Sequence, residues 1–213
     1  MTKLKKLIIA CDGESASGKS TASKLVSKKY KLSLINSGLL YRYCSKMIIK
    51  HKPKDIIKFL KMKFKTISYN KICKLNLHSE AISNHVTVIA KDKKIRDIVN
   101  QVQMRIIRSN NRICVEGRDI ASKILSKNPK YDVAFYFKCS LNVAAYRRWL
   151  DIKKVVSLSK VKKSLQMRTA LDKKRKNSPL IKVKDAILIR SDKLNKKQVL
   201  IKMSNAIDKI LTN

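Results

Sequence analysis

Residues 11–21 read CDGESASGKST, a small-residue loop set between an apolar run and an amphipathic stretch and ending in a lysine beside two hydroxyls. Gly13 to Ser20 fits G-x-x-x-x-G-K-[ST], the P-loop. Few short motifs demand so much of a fold. The glycines let the backbone curl until successive N–H groups point at an anion, and the loop works only when a buried strand leads into it and a helix N-terminus closes it. Leu4 to Cys11 reads as that strand. Lys19 to Tyr30 reads as that helix, with Ala22, Leu25 and Val26 on its inner face. Gly13, Glu14, Ser15, Ala16, Ser17, Gly18, Lys19, Ser20 and Thr21 are thus candidate ligands of a nucleoside triphosphate. Lys19 would reach the β- and γ-phosphates, and Ser20 would place its hydroxyl on Mg²⁺. Asp12, just before the loop, either touches the Mg²⁺ shell through water or orients the turn.

The remaining chain keeps the alternation begun there. A short strand is expected at Leu32 to Asn36 and a helix at Leu39 to Lys50, stopped before Pro53. Residues 54–90 are irregular and very basic, with weak helix and strand signals, and read as an insertion. A helix over Lys91 to Arg108 follows, then strands at Arg112 to Gly117 and Tyr131 to Cys139. Ser140 can cap a further helix, a long basic helix runs from about Ser159 to Lys174, DAILIRSD supplies a fifth strand, and an amphipathic helix closes the chain. Strands alternating with helices imply an α/β fold: a parallel sheet covered on both faces.

At 213 residues and 44% hydrophobic, the chain can bury a core without staples. Five widely spaced cysteines, with no C-x-x-C pair and no zinc pattern, indicate a reduced, metal-poor, intracellular protein. The apolar run Leu7 to Cys11 is too short for a signal-peptide core, and no run of eighteen apolar residues exists to span a membrane. The charge is extreme, with 51 basic residues against 14 acidic ones giving +37, so a nucleic-acid-binding ATPase stands as a rival. The lysines are scattered along nearly every segment rather than gathered into a stripe, which favours a solvated surface. Arginine is scarce at 11 copies, so the places that keep its planar, bidentate fork are informative.

Several such places follow the loop. NSGLLYR puts Ser37, as helix cap or ligand, and Arg42 after the second strand. VEGRDIAS puts Arg118 and Asp119 just past the carboxyl end of another strand, where ligands collect in open α/β sheets. RTALDKKR sets Arg168, Asp172 and Arg175 at i, i+4 and i+7, on one helix face, as a binding set or a solvated ion-pair row. Arg147 and Arg148, in AYRRWL, are either phosphate or adenine contacts or a helix-surface pair. The neighbouring Trp149 reads as core packing, and His51, His78 and His85 as surface residues.

DGESASGKST, INSGLLYR, KKIRDI, EGRDI and RTALDKKRKNSPL together, in this order and spacing, resemble the bacterial cytidylate kinase family over most of the chain. The resemblance implies a P-loop NTPase core, a three-layer α/β/α with a five-stranded parallel sheet. It also implies one domain over residues 1–213, carrying a nucleoside-monophosphate insert at about 53–90 and a lid at about 147–165. It implies ATP and Mg²⁺ as the means of phosphorylating CMP and dCMP. By position, Arg42 and Arg118 would clamp the CMP phosphate, and Ser37, Arg96, Asp119 and Arg175 would read cytosine. Thr87, where the family places a serine, would hold the sugar with Arg168 and Asp172. Lys19, Arg118, Arg147 and Arg148 would cancel charge on the moving phosphoryl group. Departures are Ala121-Ser122 where the family commonly has Gly-Thr, and Glu116 where Asp also occurs, a candidate for the metal shell. A cytoplasmic monomer without membrane or specific nucleic acid partner is expected. A P-loop kinase for UMP, AMP or another small acceptor is the alternative.

Overall fold

The structure, a computed structural model, describes residues 4–212. It divides into two compact units, one running to Ile35 and resuming at Asn110, the other formed by Asn36–Ser109.

The first unit is built on a five-stranded parallel sheet in the order β2-β3-β1-β4-β5. β1 (Leu7–Gly13) lies at its centre with all seven residues buried. β3 (Arg112–Gly117) and β4 (Val133–Lys138) flank it in parallel register, Ile9 facing Cys114 on one side and Val133 on the other. A strand buried on both faces needs a continuous apolar run, which LIIAC, ICV and VAFYF supply. β2 (Ser33–Asn36) and β5 (Ile187–Arg190) form the edges. α1 (Lys19–Lys29) and α9 (Lys196–Thr212) contribute Val26, Met203 and Ile207 to one core with Leu7, Ile9 and Phe135. α7 (Leu141–Asp151) and α8 (Leu158–Lys173) pair around a smaller core of Ala144, Ala145, Val161 and Leu165. Trp149 packs against this core while its indole N–H donates to the carbonyl of Val156 at 2.8 Å, so it ties α7 to the connection that leads into α8. Among the described residues no helix is long and apolar enough to cross a membrane.

The second unit takes in residues 53–90 together with the helices before and after them. It comprises α2 (Ser37–His51), α3 (Ile56–Thr66), α4 (Tyr69–Cys73), α5 (Glu80–Ile89) and α6 (Lys93–Arg108). The stretch expected to be irregular is therefore helical. Leu60 and Phe64, four residues apart on α3, turn into a core with Leu40, Ile72, Leu77 and Val99, while Lys61 between them faces solvent and Lys63 sets its ammonium over the Phe59 ring. Each short helix is opened by a capping side chain: Asp55 accepts from the Lys58 N–H at 2.9 Å, Ser68 from that of Lys71 at 3.4 Å and Ser79 from that of Ile82 at 3.3 Å. His51 and His78 are exposed, but His85 is half-buried.

Candidate active site

Gly13 ends β1 at φ 153°, and a Cβ there would lie 2.3 Å from the Phe137 carbonyl oxygen. Only glycine lets the chain pass so close to β4, and the next N–H, that of Glu14, donates to the same carbonyl at 3.1 Å. The loop then closes on itself as the Ser17 hydroxyl donates to the Glu14 carbonyl at 2.9 Å. Gly18, at φ 77°, turns the chain into α1. A third strand supports the loop: Ser191, just past β5, donates its hydroxyl to the Ser17 carbonyl at 2.7 Å. Arg147 of α7 in turn donates to the Ser191 carbonyl at 2.9 Å and to its hydroxyl at 3.4 Å. Arg148 follows on the same helix, half-buried.

Lys19 is only 7% exposed, while Ser20 and Thr21 stand open at the first turn of α1. Burial pulls the Lys19 ammonium down to about 8, reinforced by the Arg118 charge and opposed by Glu116 and Asp12. The Arg118 guanidinium is lowered from its ordinary value by the same withdrawal from water, again opposed by Glu116 and Asp12. Both carboxylate oxygens of the buried Asp12 accept backbone N–H groups, of Ile120 at 2.9 Å and Ala121 at 2.8 Å. Burial raises Asp12 to about 6 despite those two bonds. Of the two roles open to Asp12, its contacts display the turn-orienting one. The turn it holds is Ile120–Ile124, so Ala121 acts there through its backbone. Glu116 is buried too, and among the described residues neither of its oxygens has a hydrogen-bond partner.

Beside the loop lies the second constellation. Arg118 donates through Nε to Asp172 Oδ2 at 2.8 Å and through Nη2 to the hydroxyl of Ser15 at 3.1 Å. Arg175 donates to the other oxygen of Asp172. α8 ends at Lys173, so Arg175 is not the third member of a helical face. It reaches Asp172 from beyond the helix end, three residues on. Arg168 stays on α8 and is half-buried. Asp119 is buried, its carbonyl accepting from Lys123 at 2.9 Å.

The second unit holds Ser37, Arg42, Thr87 and Arg96. The N-cap position of α2 falls to Asn36, and Ser37 is the buried first residue of the helix. Arg42 is buried and donates to the Leu77 carbonyl at 2.8 Å and the Ser83 hydroxyl at 2.9 Å. Arg96 donates to the Ala90 carbonyl at 3.2 Å with its guanidinium 5.7 Å from the centre of the Tyr41 ring. Thr87 spends its hydroxyl on the Asn84 carbonyl of its own helix at 2.7 Å.

Sequence reasoning missed two participants, Ser191 and Lys173, the latter paired with Glu14 at 2.8 Å. Ser191 carried a usable signal, since it follows the carboxyl end of a parallel strand. Lys173 carried none among so many lysines.

The phosphate-shaped loop at the end of a central parallel strand, with helices on the sheet, makes this a P-loop kinase fold. A gluconokinase structure from Sinorhizobium meliloti 1021 shares that fold, with a TM-score of 0.55 over 99% of this chain and 97% of that one at 13% identity. The family model described as cytidylate kinase matches residues 9–209, and the chain belongs to the cytidylate kinase family. A cytidylate kinase from Clostridium botulinum (strain Okra / Type B1) is 31% identical, covering 94% of this chain and 97% of its own length. A bifunctional pantoate ligase/cytidylate kinase from Prochlorococcus marinus (strain AS9601) is 33% identical over 87% of this chain, which spans 40% of that longer protein.

Proposed function

We propose that this chain transfers the terminal phosphoryl group of ATP to CMP and dCMP, releasing ADP with CDP or dCDP. Family membership supports the reaction class, and one observation carries the assignment of residues. Asp172 is joined to both Arg118 and Arg175, and Arg118 also donates to Ser15 inside the phosphate loop. Donor and acceptor groups are thus linked through a single guanidinium.

The acceptor phosphate is already ionised, so no strong base is needed, and catalysis rests on positioning and on cancelling charge. Lys19, with the loop N–H groups, binds the donor phosphates. Arg118 and Arg42 bind the acceptor phosphate in the planar two-point manner that guanidinium allows. Asp119 accepts from the exocyclic amine of cytosine with Ser37, Arg96 and Arg175 around the ring, and uracil, with a carbonyl at that place, leaves such groups unpaired. Arg168, Asp172 and Thr87 hold the sugar, and Arg147 and Arg148 serve the donor side. The open hydroxyl of Ser20 and the unpartnered carboxylate of Glu116 fit Mg²⁺, which when bound supplies counter-charge to the triphosphate. We assign residues 53–90 to the acceptor insert and 147–165 to the lid. We place the enzyme, as a monomer, in the cytoplasm, where its five free cysteines stay reduced.

The test is an acceptor panel in a coupled ADP-release assay. CMP and dCMP should turn over far faster than UMP or AMP, and equal rates across the panel would overturn the base-reading assignment.

A further inference from the structure

We propose that Lys173 is a positioning residue for the phosphate donor: it neutralises Glu14, an acidic side chain built into the loop that must accept a polyanion. The inference rests on reading that loop as the ATP site. Glu14 follows Gly13 directly, and its backbone is pinned by the bond from its N–H to the Phe137 carbonyl at 3.1 Å, so it stays at the mouth of the loop. Its side chain is only 12% exposed, too little for water to screen the charge fully. Left alone, that carboxylate would repel the triphosphate that the loop N–H groups and Lys19 attract. Lys173 answers it, with Nζ 2.8 Å from Glu14 Oε1.

The position of Lys173 gives the pair its meaning. It is the last residue of α8, next to Asp172, so two successive side chains of one helix end serve two successive loop residues: Lys173 meets Glu14, and Asp172 reaches Ser15 through Arg118. Lys173 itself is 48% exposed, and a pair with one open partner adds little to folding. Its effect is felt by an incoming anion instead, because removing the lysine leaves the negative charge of Glu14 facing the donor phosphates.

The experiment measures ATP affinity by calorimetry, and thermal stability, for the unsubstituted protein, Lys173→Met, Lys173→Arg and the double variant Glu14→Gln/Lys173→Met. We expect Lys173→Met to weaken ATP about three- to ten-fold, most at low salt, with the melting temperature nearly unchanged. Lys173→Arg should keep most of the affinity, and the double variant should recover it, because neither charge then remains. An unaltered affinity in Lys173→Met overturns the proposal. So does a double variant as weak as the single one, which would mean that the lysine binds phosphate directly. Failure of the unsubstituted protein to bind ATP would overturn the reading of the loop, and the proposal with it.

Discussion

Arg118 Nε donates to Asp172 Oδ2 across 2.8 Å, with the Asp172 side chain 9% exposed and that of Arg118 18% exposed. Asp172→Asn keeps the shape but removes the charge that both Arg118 and Arg175 face. The Michaelis constant for CMP should rise about 10- to 100-fold, with ATP affinity changed by less than about two-fold. Stability should fall by about 1–3 kcal/mol, because two guanidinium groups lose their carboxylate. Steady-state kinetics and urea unfolding check both halves. Weaker ATP binding with an unaltered constant for CMP would mean that this carboxylate serves the donor instead.

Lys19 gives a pH signature. Its ammonium is charged below about 8 in the folded, unliganded protein and neutral above it. ATP binds the charged form, so affinity should fall as pH rises through that value, and binding above it should take up a proton. Calorimetry in two buffers of different ionisation enthalpy reads that proton directly. Lys19→Met should abolish the uptake and lower turnover by about two to four orders of magnitude. The stability sign follows from the same depression: the native state sheds the proton near 8 and the unfolded state near 10.5, so stability rises with pH between them. Proton uptake that persists in Lys19→Met would assign it to another group.

The two loop glycines should respond differently to a methyl group. At Gly13 the new Cβ would sit 2.3 Å from the carbonyl of Phe137, an immovable partner, whereas at Gly18 its nearest neighbour is the Ser191 hydroxyl at 3.7 Å. Gly13→Ala should cost about 3 kcal/mol or more, since β4 must move. Gly18→Ala should cost about 1–2 kcal/mol, the strain of a left-handed residue with no clash added. Thermal melts of the two variants compare them, and equal losses would refute the asymmetry.

The sheet was legible because its strands write themselves as unbroken apolar runs, and Arg112–Gly117 was located to the residue. The helices of 54–90 were not, since seven lysines there dilute the apolar period and the caps Asp55, Ser68 and Ser79 are ordinary polar residues until the chain is folded. The loop itself is local, so its residues could be read in a row. Its supports are not: Ser191 and Lys173 meet it from 174 and 159 residues away, and no spacing rule spans such a gap. Arg175 shows the converse limit. A helical period put it on one face with Arg168 and Asp172, yet the helix stops at Lys173, and proximity to Asp172 survives only because the chain turns back there.

The hydroxyl of Ser191 has a mechanical consequence. β5 is an outermost strand, the part of a sheet that ordinarily peels away first. Here its tip is fastened to the Ser17 carbonyl, and the Ser191 N–H extends the ladder to the Lys138 carbonyl at 3.0 Å. Peeling of the rim and loosening of the nucleotide cradle thus become a single event, and whatever grips the cradle also seams the border of the sheet.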